Sequence, residues 1–242
     1  MNTGTIELSK EQRLRYSRNI LLPEIGRAGQ AKLLSSRMLI VGAGALGSAC
    51  AMYLAASGVG HIIIADYDTI DISNLQRQLS FSTSDCGRPK AQALCDRLLA
   101  INPEIEVSVI NKMLTKANVG EYIAGCDLVI EGSDNPATKY LVTEVCSQHG
   151  VPCVLGGVAQ FNGQVMCWSP GYPTYSEIFP EQAAEGGYTP CSLGGVLGPL
   201  PGIVASWQAS EAIKILTGAG TPLFGKLLLI DMLTPSARII EL

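Results

Sequence analysis

The sequence predicts an α/β fold built on a doubly wound, mainly parallel sheet with antiparallel strands towards its C-terminal end. Three observations lead to this prediction. Short apolar runs alternate with helical stretches between residues 36 and 158, a glycine-rich turn follows the first run, and a hairpin signal follows the last. Alternating strands and helices form parallel sheets with right-handed crossovers. With no internal repeat and no linker, the 242 residues are expected to form a single domain.

The first elements are predicted from amphipathic spacing and from short buried runs. Residues 1–35 form an N-terminal helical arm, which starts at a capping box made by Ser9 and Gln12. The run MLIV (38–41) is the first strand, and an alanine-rich helix follows it. The run HIIIAD (61–66) is the second strand, because three consecutive β-branched residues suit a strand that is covered on both faces.

The same alternation continues through the middle of the chain and then changes. The next predicted elements are a helix over 89–101, a strand over 105–110, a short helix near 116–123, a strand over 126–131, a helix over 136–149 and a strand over 151–158. Asn162-Gly163 then lies between two strand-like runs, which predicts a hairpin. A long loop over 169–195, an apolar helix over 196–216 and strands over 226–231 and 237–242 complete the chain.

Composition and charge exclude several classes of protein. Hydrophobic residues make up 47% and charged residues 16%, which rules out a disordered chain. So few charges also favour a large buried interface, and therefore an oligomer. The net charge of −4 without a Lys/Arg run argues against a nucleic-acid or membrane-surface partner. No signal peptide or membrane span is predicted, and eight cysteines without a signal peptide suggest reduced thiols, so we expect a cytoplasmic protein.

The glycine-rich turn predicts where a ligand binds. GAGALG, with Gly42, Gly44 and Gly47, follows a strand and opens a helix. Glycines there permit a tight turn and a close backbone approach to a phosphate or ribose. Asp66 ends the next strand, where a carboxylate can accept hydrogen bonds from ribose hydroxyls. Together these residues predict a Rossmann-like, nucleotide-binding core over 36–158. The alternative is that the glycines serve packing alone.

Polar residues after the second strand indicate which kind of nucleotide binds. Asn74, Arg77 and Gln78 follow Asp66 in one loop, and Lys90 comes shortly after them. Arginine offers a planar fork to phosphate oxygens and lysine a point charge. Lys90 also falls in the first turn of a predicted helix, where a cation opposes the macrodipole and needs an anionic partner. Hydride transfer has no need of so many phosphate-seeking groups, so the set favours a triphosphate. The alternative is a solvated charged loop.

Asp134 comes directly after the strand over 126–131, on the sheet edge where such folds bind ligands. A carboxylate there suits Mg²⁺ that is held together with phosphates. The alternative is a helix N-cap, which the following Pro136 would also fit.

The motifs together resemble the ThiF/MoeB/HesA family over about residues 7–235. The matching segments, in the family's order, are RYSRN (15–19), GAGALG, DYD (66–68), SNLQRQ (73–78), GRPKA (87–91), SDN (133–135), FNGQ (161–164) and the stretch over 191–216. These proteins resemble the adenylation domain of ubiquitin-activating enzymes. The resemblance implies an adenylyltransferase that uses Mg-ATP to activate the C-terminal Gly-Gly carboxylate of a small ubiquitin-like sulfur-carrier protein. Sulfur is delivered afterwards, for thiamin, molybdopterin or related biosynthesis.

The resemblance also implies roles for individual residues. Arg77 and Lys90 would bind the phosphates and offset charge developing at the α-phosphorus. Asp134 would bind Mg²⁺, and Arg18 would reach across a homodimer interface into the partner's ATP site. Because the nucleophile belongs to the substrate, no general base is required. The nucleotide-binding set is Gly42, Gly44, Gly47, Asp66, Asp68, Asn74, Arg77, Gln78 and Lys90.

Cys191 aligns with the family cysteine that, in some members, forms a thioester or acyl disulfide with the carrier. It precedes a predicted helix, whose N-terminal dipole would lower the pKa of a thiol. The alternative is an inert cysteine, as is common for free thiols. The predicted helix over 196–216 carries an apolar face around Ile203, Val204 and Trp207, which we expect in the core or in a dimer contact.

The chain departs from the family at its zinc site. Thr174-Tyr175-Ser176-Glu177 stands where the family has its first CxxC pair, and Leu242 comes before the second would appear. No CxxC occurs anywhere, so no zinc is expected. Nor does a C-terminal sulfurtransferase domain follow, so a separate sulfur donor is expected. Other interpretations are adenylation of another carboxylate (a peptide or a modified tRNA base), an NAD(P)-dependent oxidoreductase, or a non-catalytic nucleotide-binding scaffold.

Overall fold

The computed structural model of the protein describes residues 7–180 and 194–242. Its N-terminal arm contains three short helices, where the sequence predicted one helical stretch. The break after the first helix lies at Tyr16, which is buried and whose hydroxyl accepts a hydrogen bond from Asn102 Nδ2 at 2.8 Å. Pro23 precedes the third helix, consistent with the helix-breaking effect of proline on the residue before it. The three helices are α1 (Lys10–Arg15), α2 (Ser17–Ile20) and α3 (Gly26–Ser35).

A single eight-stranded sheet follows, in the order β3-β2-β1-β4-β5-β6-β7-β8. The first five strands are parallel and the last three antiparallel, which confirms the predicted fold class. The order reverses at β1, which pairs with both β2 and β4. The elements are β1 (Arg37–Val41), α4 (Ala45–Ser57), β2 (His61–Ala65), α5 (Lys90–Ile101), β3 (Glu106–Ile110), α6 (Val119–Ile123), β4 (Leu128–Glu131), α7 (Pro136–His149), β5 (Cys153–Ala159), β6 (Asn162–Trp168), α8 (Tyr175–Ile178), α9 (Pro199–Thr217), β7 (Lys226–Asp231) and β8 (Ser236–Glu241).

The predicted hairpin forms, but its turn lies two residues before the predicted one. Ala159 pairs with Asn162, so Gln160 and Phe161 make the turn and Asn162-Gly163 begins β6. Gln160 adopts the left-handed conformation, with a φ of 52°. Gly163 is needed for packing instead, because a Cβ there would lie 2.6 Å from Val204 Cγ2 on α9.

Helices cover both faces of the sheet, as a doubly wound fold requires. Alternate strand residues point to opposite faces, so Ile40 packs in one core layer and Leu39 in the other. Side chains of α3, α4, α5 and α9 fill the first layer, and those of α6, α7 and α8 the second. Val204 is fully buried in the first layer, whereas Trp207 on the same helix is 37% exposed. The face predicted for α9 is therefore divided between core and surface.

The predicted loop over 169–195 is described as far as residue 180 and again from 194. Its first part contains α8, where Tyr175 contacts the rings of Tyr140 and Phe179. Among the described residues, no helix is both long enough and apolar enough to cross a bilayer.

Candidate active site

A cavity of about 680 Å³ runs along the carboxyl ends of the strands. It begins at the reversal of strand order, between β1 and β4, and continues over β5, β6 and β7. Ligands of open α/β sheets bind at this reversal point. The volume suits a ligand of the size of a nucleotide. Each residue that the sequence analysis assigned to a ligand site can therefore be compared with the residues that line this cavity.

The glycine-rich turn forms one wall of the cavity. Gly42 has a φ of 88°, and its N–H donates to the carbonyl of Ala65 at 2.9 Å. Gly42 and Gly44 line the cavity, and Gly44 is the N-cap of α4 without a capping side chain. Gly47 lies behind the turn, where a Cβ would stand only 1.8 Å from the carbonyl oxygen of Gly42. Gly44 thus leaves the cavity wall open, Gly42 supplies the left-handed turn, and Gly47 closes helix α4 onto the turn.

Asp66 lines the cavity at the end of β2. Its Oδ2 accepts from the N–H of Ala43 and its Oδ1 from the N–H of Asp68, both at 2.7 Å. Burial raises the pKa of Asp66, while these two hydrogen bonds and the charge of Lys90 act in the opposite direction. A carboxylate can accept about four hydrogen bonds, so each oxygen keeps capacity for a ligand hydroxyl.

Lys90 is the first residue of α5 and is nearly buried, with its side chain in the cavity wall. Its Nζ lies 3.0 Å from Asp68 Oδ2, and its N–H donates to the carbonyl of Asp68 at 2.9 Å. The sequence predicted that a cation at this helix start would need an anionic partner. Asp68 is that partner within the chain, and its own side chain is 52% exposed.

Arg77 and Gln78 line the cavity, whereas Asn74 is not among its lining residues in the described structure. The Asn74 side chain instead accepts from the N–H of Asp71 at 3.1 Å and closes a 3₁₀ turn over 72–74. The carbonyl of Asn74 accepts from the N–H of both Arg77 and Gln78. Asn74 therefore shapes the loop that presents its two neighbours.

Gln78 has an unsatisfied hydrogen-bond acceptor at the cavity. Its Oε1 is buried and has no hydrogen-bond partner within the described residues. Its Nε2 lies close to Gly44, since a Cβ on that glycine would stand 3.7 Å away. A buried acceptor without a partner destabilises the folded protein, and a ligand that donates a hydrogen bond to it would remove this destabilisation.

Asp134 lines the cavity just beyond β4. The alternative that Asp134 caps the following helix is wrong, because Asn135 is the N-cap of α7. The side chain of Asn135 accepts from the N–H of Ala137 at 2.9 Å.

Several lining residues were not predicted from the sequence. They include Lys112, Lys139, Gln164 and Arg238. Lys139 could have been found by the reasoning used for Lys90, because it also lies in the first turn of a helix. Gln164 and Arg238 lie on strands, and only the register of the antiparallel strands brings them to the cavity.

Comparison with known proteins gives the family. The ThiF family matches residues 16–242 of this chain. The chain belongs to the ThiF family. It is 43% identical over 227 residues to the SAMP-activating enzyme E1 of Haloferax volcanii, and this alignment covers 94% of this chain and 84% of that protein. It is 40% identical over 238 residues to the sulfur carrier protein adenylyltransferase of Thermus thermophilus, which covers 95% and 87%.

A solved structure agrees with this assignment of the ThiF-family chain. The crystal structure of E. coli MccB with ATP superposes with a TM-score of 0.82 at 25% identity, over 94% of this chain and 70% of that one. The predicted family and fold are confirmed. The class of enzyme is confirmed too, since the relative from Thermus thermophilus is named as an adenylyltransferase and that from Haloferax volcanii as an activating enzyme.

Like Gly47 and Asn74, Arg18 is not among the cavity-lining residues in the described part of this ThiF-family chain. Arg18 is exposed on α2, beside a small surface pocket that Tyr53 and Ser57 also line. Its reach into a partner's site remains a prediction. Cys191 lies outside the described residues, so its role remains a prediction too. Of the seven cysteines described, six are buried and Cys86 is exposed, and burial raises the pKa of Cys126 to about 11.

The donor set at the cavity fits Mg²⁺ bound through phosphates. Within residues 7–180 and 194–242 there is no group of three or more His, Cys, Asp or Glu that could hold a metal ion. Mg²⁺ commonly takes one or two carboxylates together with substrate phosphates and water. Asp134 provides such a carboxylate in the cavity wall. The expectation that the protein has no zinc stays a prediction.

Proposed function

We propose that this chain is a Mg-ATP-dependent adenylyltransferase that activates the C-terminal Gly-Gly carboxylate of a small ubiquitin-like sulfur-carrier protein. The observation that carries the proposal is that one cavity joins two differently built ends. One end holds Asp66, Arg77 and Lys90 beside the glycine-rich turn. The other continues across the antiparallel strands as far as Arg238. An adenylation site needs this combination, because a nucleotide and a second substrate must meet.

The second end is suited to an extended peptide. Gly157, Gln164, Leu229 and Arg238 are neighbours in register across β5 to β8, and all four line the cavity. Gly157, at the start of this row, accommodates the Gln164 side chain, since a Cβ there would stand 2.9 Å from Gln164 Nε2. The polar side chains further along it can bond to a peptide backbone or to its side chains. A tail that ends in two glycines would bring no side chain to clash with the cavity wall.

The chemistry follows from the charges in the cavity. A C-terminal carboxylate has a pKa of about 3.3 to 3.7 and is ionised at neutral pH, so it can attack the α-phosphorus without a general base. The new bond joins the carboxylate oxygen to that phosphorus, and pyrophosphate leaves. Arg77 and Lys90 would offset the negative charge on the phosphates and orient them for attack. Mg²⁺ held by Asp134 would supply further neutralisation of phosphate charge.

The relatives support the carrier as substrate. Two proteins that share 40% or more of their residues with this chain are named for activation of SAMP or of a sulfur-carrier protein. MccB, whose structure contains ATP, is only 25% identical. Sequence similarity therefore favours a sulfur carrier over another carboxylate, and the ATP-bound neighbour favours ATP over a nicotinamide dinucleotide.

The N-terminal arm supports a homodimer, which is part of the proposal. Leu14, Leu21 and Leu22 are exposed large apolar residues on either side of Arg18. Exposed apolar residues that form one patch mark an interaction surface, and these three leucines are close in sequence. Burying this surface against a second copy would bring the Arg18 guanidinium to an interface. We propose that it then completes the partner's phosphate site, and that sulfur comes from a separate donor protein.

Exchange between ATP and pyrophosphate tests the proposal. Wild type is assayed with Mg²⁺ in the presence and absence of carrier proteins that end in Gly-Gly. Exchange that depends on the carrier and is lost in Arg77→Ala is the expected result. The matched control is Arg37→Ala, which removes an exposed arginine at the opposite end of β1. ATP binding without exchange in the presence of any carrier would refute the carrier as substrate, and no ATP binding at all would refute adenylation.

A further inference from the structure

We propose that the buried ion pair between Glu131 and Lys139 positions the segment 132–135, which carries Asp134, against the glycine-rich turn. Lys139 is then a positioning residue that does not itself bind phosphate. This inference rests on the proposed function, because Asp134 is the residue assigned to Mg²⁺ there.

The contacts of Lys139 show why it positions and does not bind. Its Nζ donates to Glu131 Oε2, to the carbonyl of Ser133 at 2.9 Å and to the carbonyl of Gly156 at 2.7 Å. A lysine ammonium has three N–H donors. All three are used within the chain, so Lys139 has none left for a ligand although it lines the cavity. Its charge is compensated by Glu131 as well.

Glu131 holds the start of the segment 132–135 in place through hydrogen bonds. Its side chain is fully buried, and its Oε1 accepts from the N–H of Ser133 at 3.0 Å and from the Ser133 hydroxyl. Its backbone carbonyl accepts from Gln208 Nε2 at 3.0 Å. Ser133 is thus held through its N–H, its hydroxyl and its carbonyl by the two members of the ion pair. Asp134 is the next residue.

The segment also packs against the glycine-rich turn without free space. The N–H of Gly132 donates to the carbonyl of Val41 at 2.9 Å. A Cβ on Gly132 would stand 2.9 Å from the nitrogen of Gly47, and one on Gly42 would stand 3.2 Å from the nitrogen of Ser133. A shift of the segment would therefore move the turn as well. Through Gly156, Lys139 connects both to β5, which leads to the peptide end of the cavity.

The test removes the pair without leaving a lone buried charge. Lys139→Met alone would leave a buried carboxylate without its partner, which is strongly destabilising. The double variant Glu131→Gln/Lys139→Met removes both charges at nearly constant volume. The matched control is Glu211→Gln/Lys214→Met, because Glu211 is also fully buried and paired with a lysine, on α9. Neither residue of the control pair lines the cavity.

Two measurements separate positioning from general stability. Hydrogen–deuterium exchange without ligand should show faster exchange in the peptide that contains Ser133 for the first double variant and not for the control. Calorimetric titration should show affinity for Mg-ATP weakened by about tenfold, the lower end of the loss that is typical when contacts supporting a metal ligand are removed. Affinity for ATP without Mg²⁺ should change much less, since Lys139 has no donor free for phosphate.

Either of two results would overturn the inference. One is a folded Glu131→Gln/Lys139→Met protein whose exchange at Ser133 and whose Mg-ATP affinity equal those of wild type. The other is an equal change in both double variants, which would make the effect one of stability alone. If wild type binds Mg-ATP but never supports carrier-dependent exchange, the proposed function fails, while the two measurements still decide the role of Lys139.

Discussion

Lys90→Met is the substitution whose effect the structure defines most closely. It keeps the length of the side chain and removes the ammonium, which lines the nucleotide end of the cavity. A hydrogen bond to a charged group contributes about 1.5 to 3 kcal/mol, so kcat/KM for ATP–pyrophosphate exchange should fall by about 10- to 150-fold. Little of this loss comes from the ion pair within the chain, because the partner of Lys90 there is Asp68, whose side chain is half exposed. The loss is instead expected from contacts with the phosphates.

The effect on stability should be small by comparison. The Asp68 side chain is 52% exposed, and an ion pair with an exposed partner contributes up to about 1 kcal/mol. For a chain of this size that corresponds to a shift in Tm of about 2 to 4 °C. Lys116→Met removes an exposed lysine and is the matched control. Exchange that stays within about threefold of wild type in a folded Lys90→Met protein would refute the assignment of Lys90 to the phosphates.

Three further predictions concern packing, ionisation and the peptide end of the cavity. Gly47→Ala should destabilise the protein by at least about 3 kcal/mol in urea unfolding, because its Cβ would collide with the carbonyl of Gly42. The control is Gly202→Ala, which has nothing within 4 Å of a Cβ and should stabilise α9 by about 0.5 to 1 kcal/mol. Similar effects of the two substitutions would contradict the packing described for Gly47. Burial raises the pKa of Asp66, so the native state binds more protons than the unfolded state between the two pKa values, and stability falls as pH rises through that window. Urea unfolding of wild type and Asp66→Asn from about pH 4 to about 6 should show this extra slope in wild type only. Arg238→Ala should raise KM for the carrier about fivefold or more and leave KM for ATP unchanged; equal changes in both would contradict a separate peptide end.

The parallel half of the fold could be predicted from the sequence because its signals are local. Buried β-branched runs such as HIIIA mark strands, and Pro136 and Gly150 mark the ends of α7. The hairpin turn was misplaced because Asn162-Gly163 has two explanations. A glycine can supply a left-handed turn or can let a helix approach, and the contact with Val204 on α9 decides for the second. That contact joins residues 41 positions apart, which no local pattern reveals.

The candidate site divides in the same way. Asp66, Arg77 and Lys90 belong to one crossover, so their order along the chain gave their common location. Arg238 reaches the cavity only because β8 pairs with β7, and β7 with β6. The assignment of Asn74 to the phosphates stays a prediction. Its side chain accepts from the N–H of Asp71 and closes a turn, a local contact that the sequence reasoning did not include.

Lys90 and Lys139 show that one electrostatic signal can have two different outcomes. Each lies in the first turn of a helix that follows a strand, where a cation opposes the macrodipole and is retained only beside an anion. The partner of Lys90 is an exposed aspartate, so the ammonium can exchange that partner for a phosphate at little cost. The partner of Lys139 is a fully buried glutamate, and two carbonyls occupy its other donors. Losing Lys90 should therefore weaken ATP binding with or without Mg²⁺, whereas losing the Glu131–Lys139 pair should weaken it mainly when Mg²⁺ is present. The burial of the partner, which the sequence does not show, is the basis on which we propose that Lys90 binds phosphate and that Lys139 positions the segment.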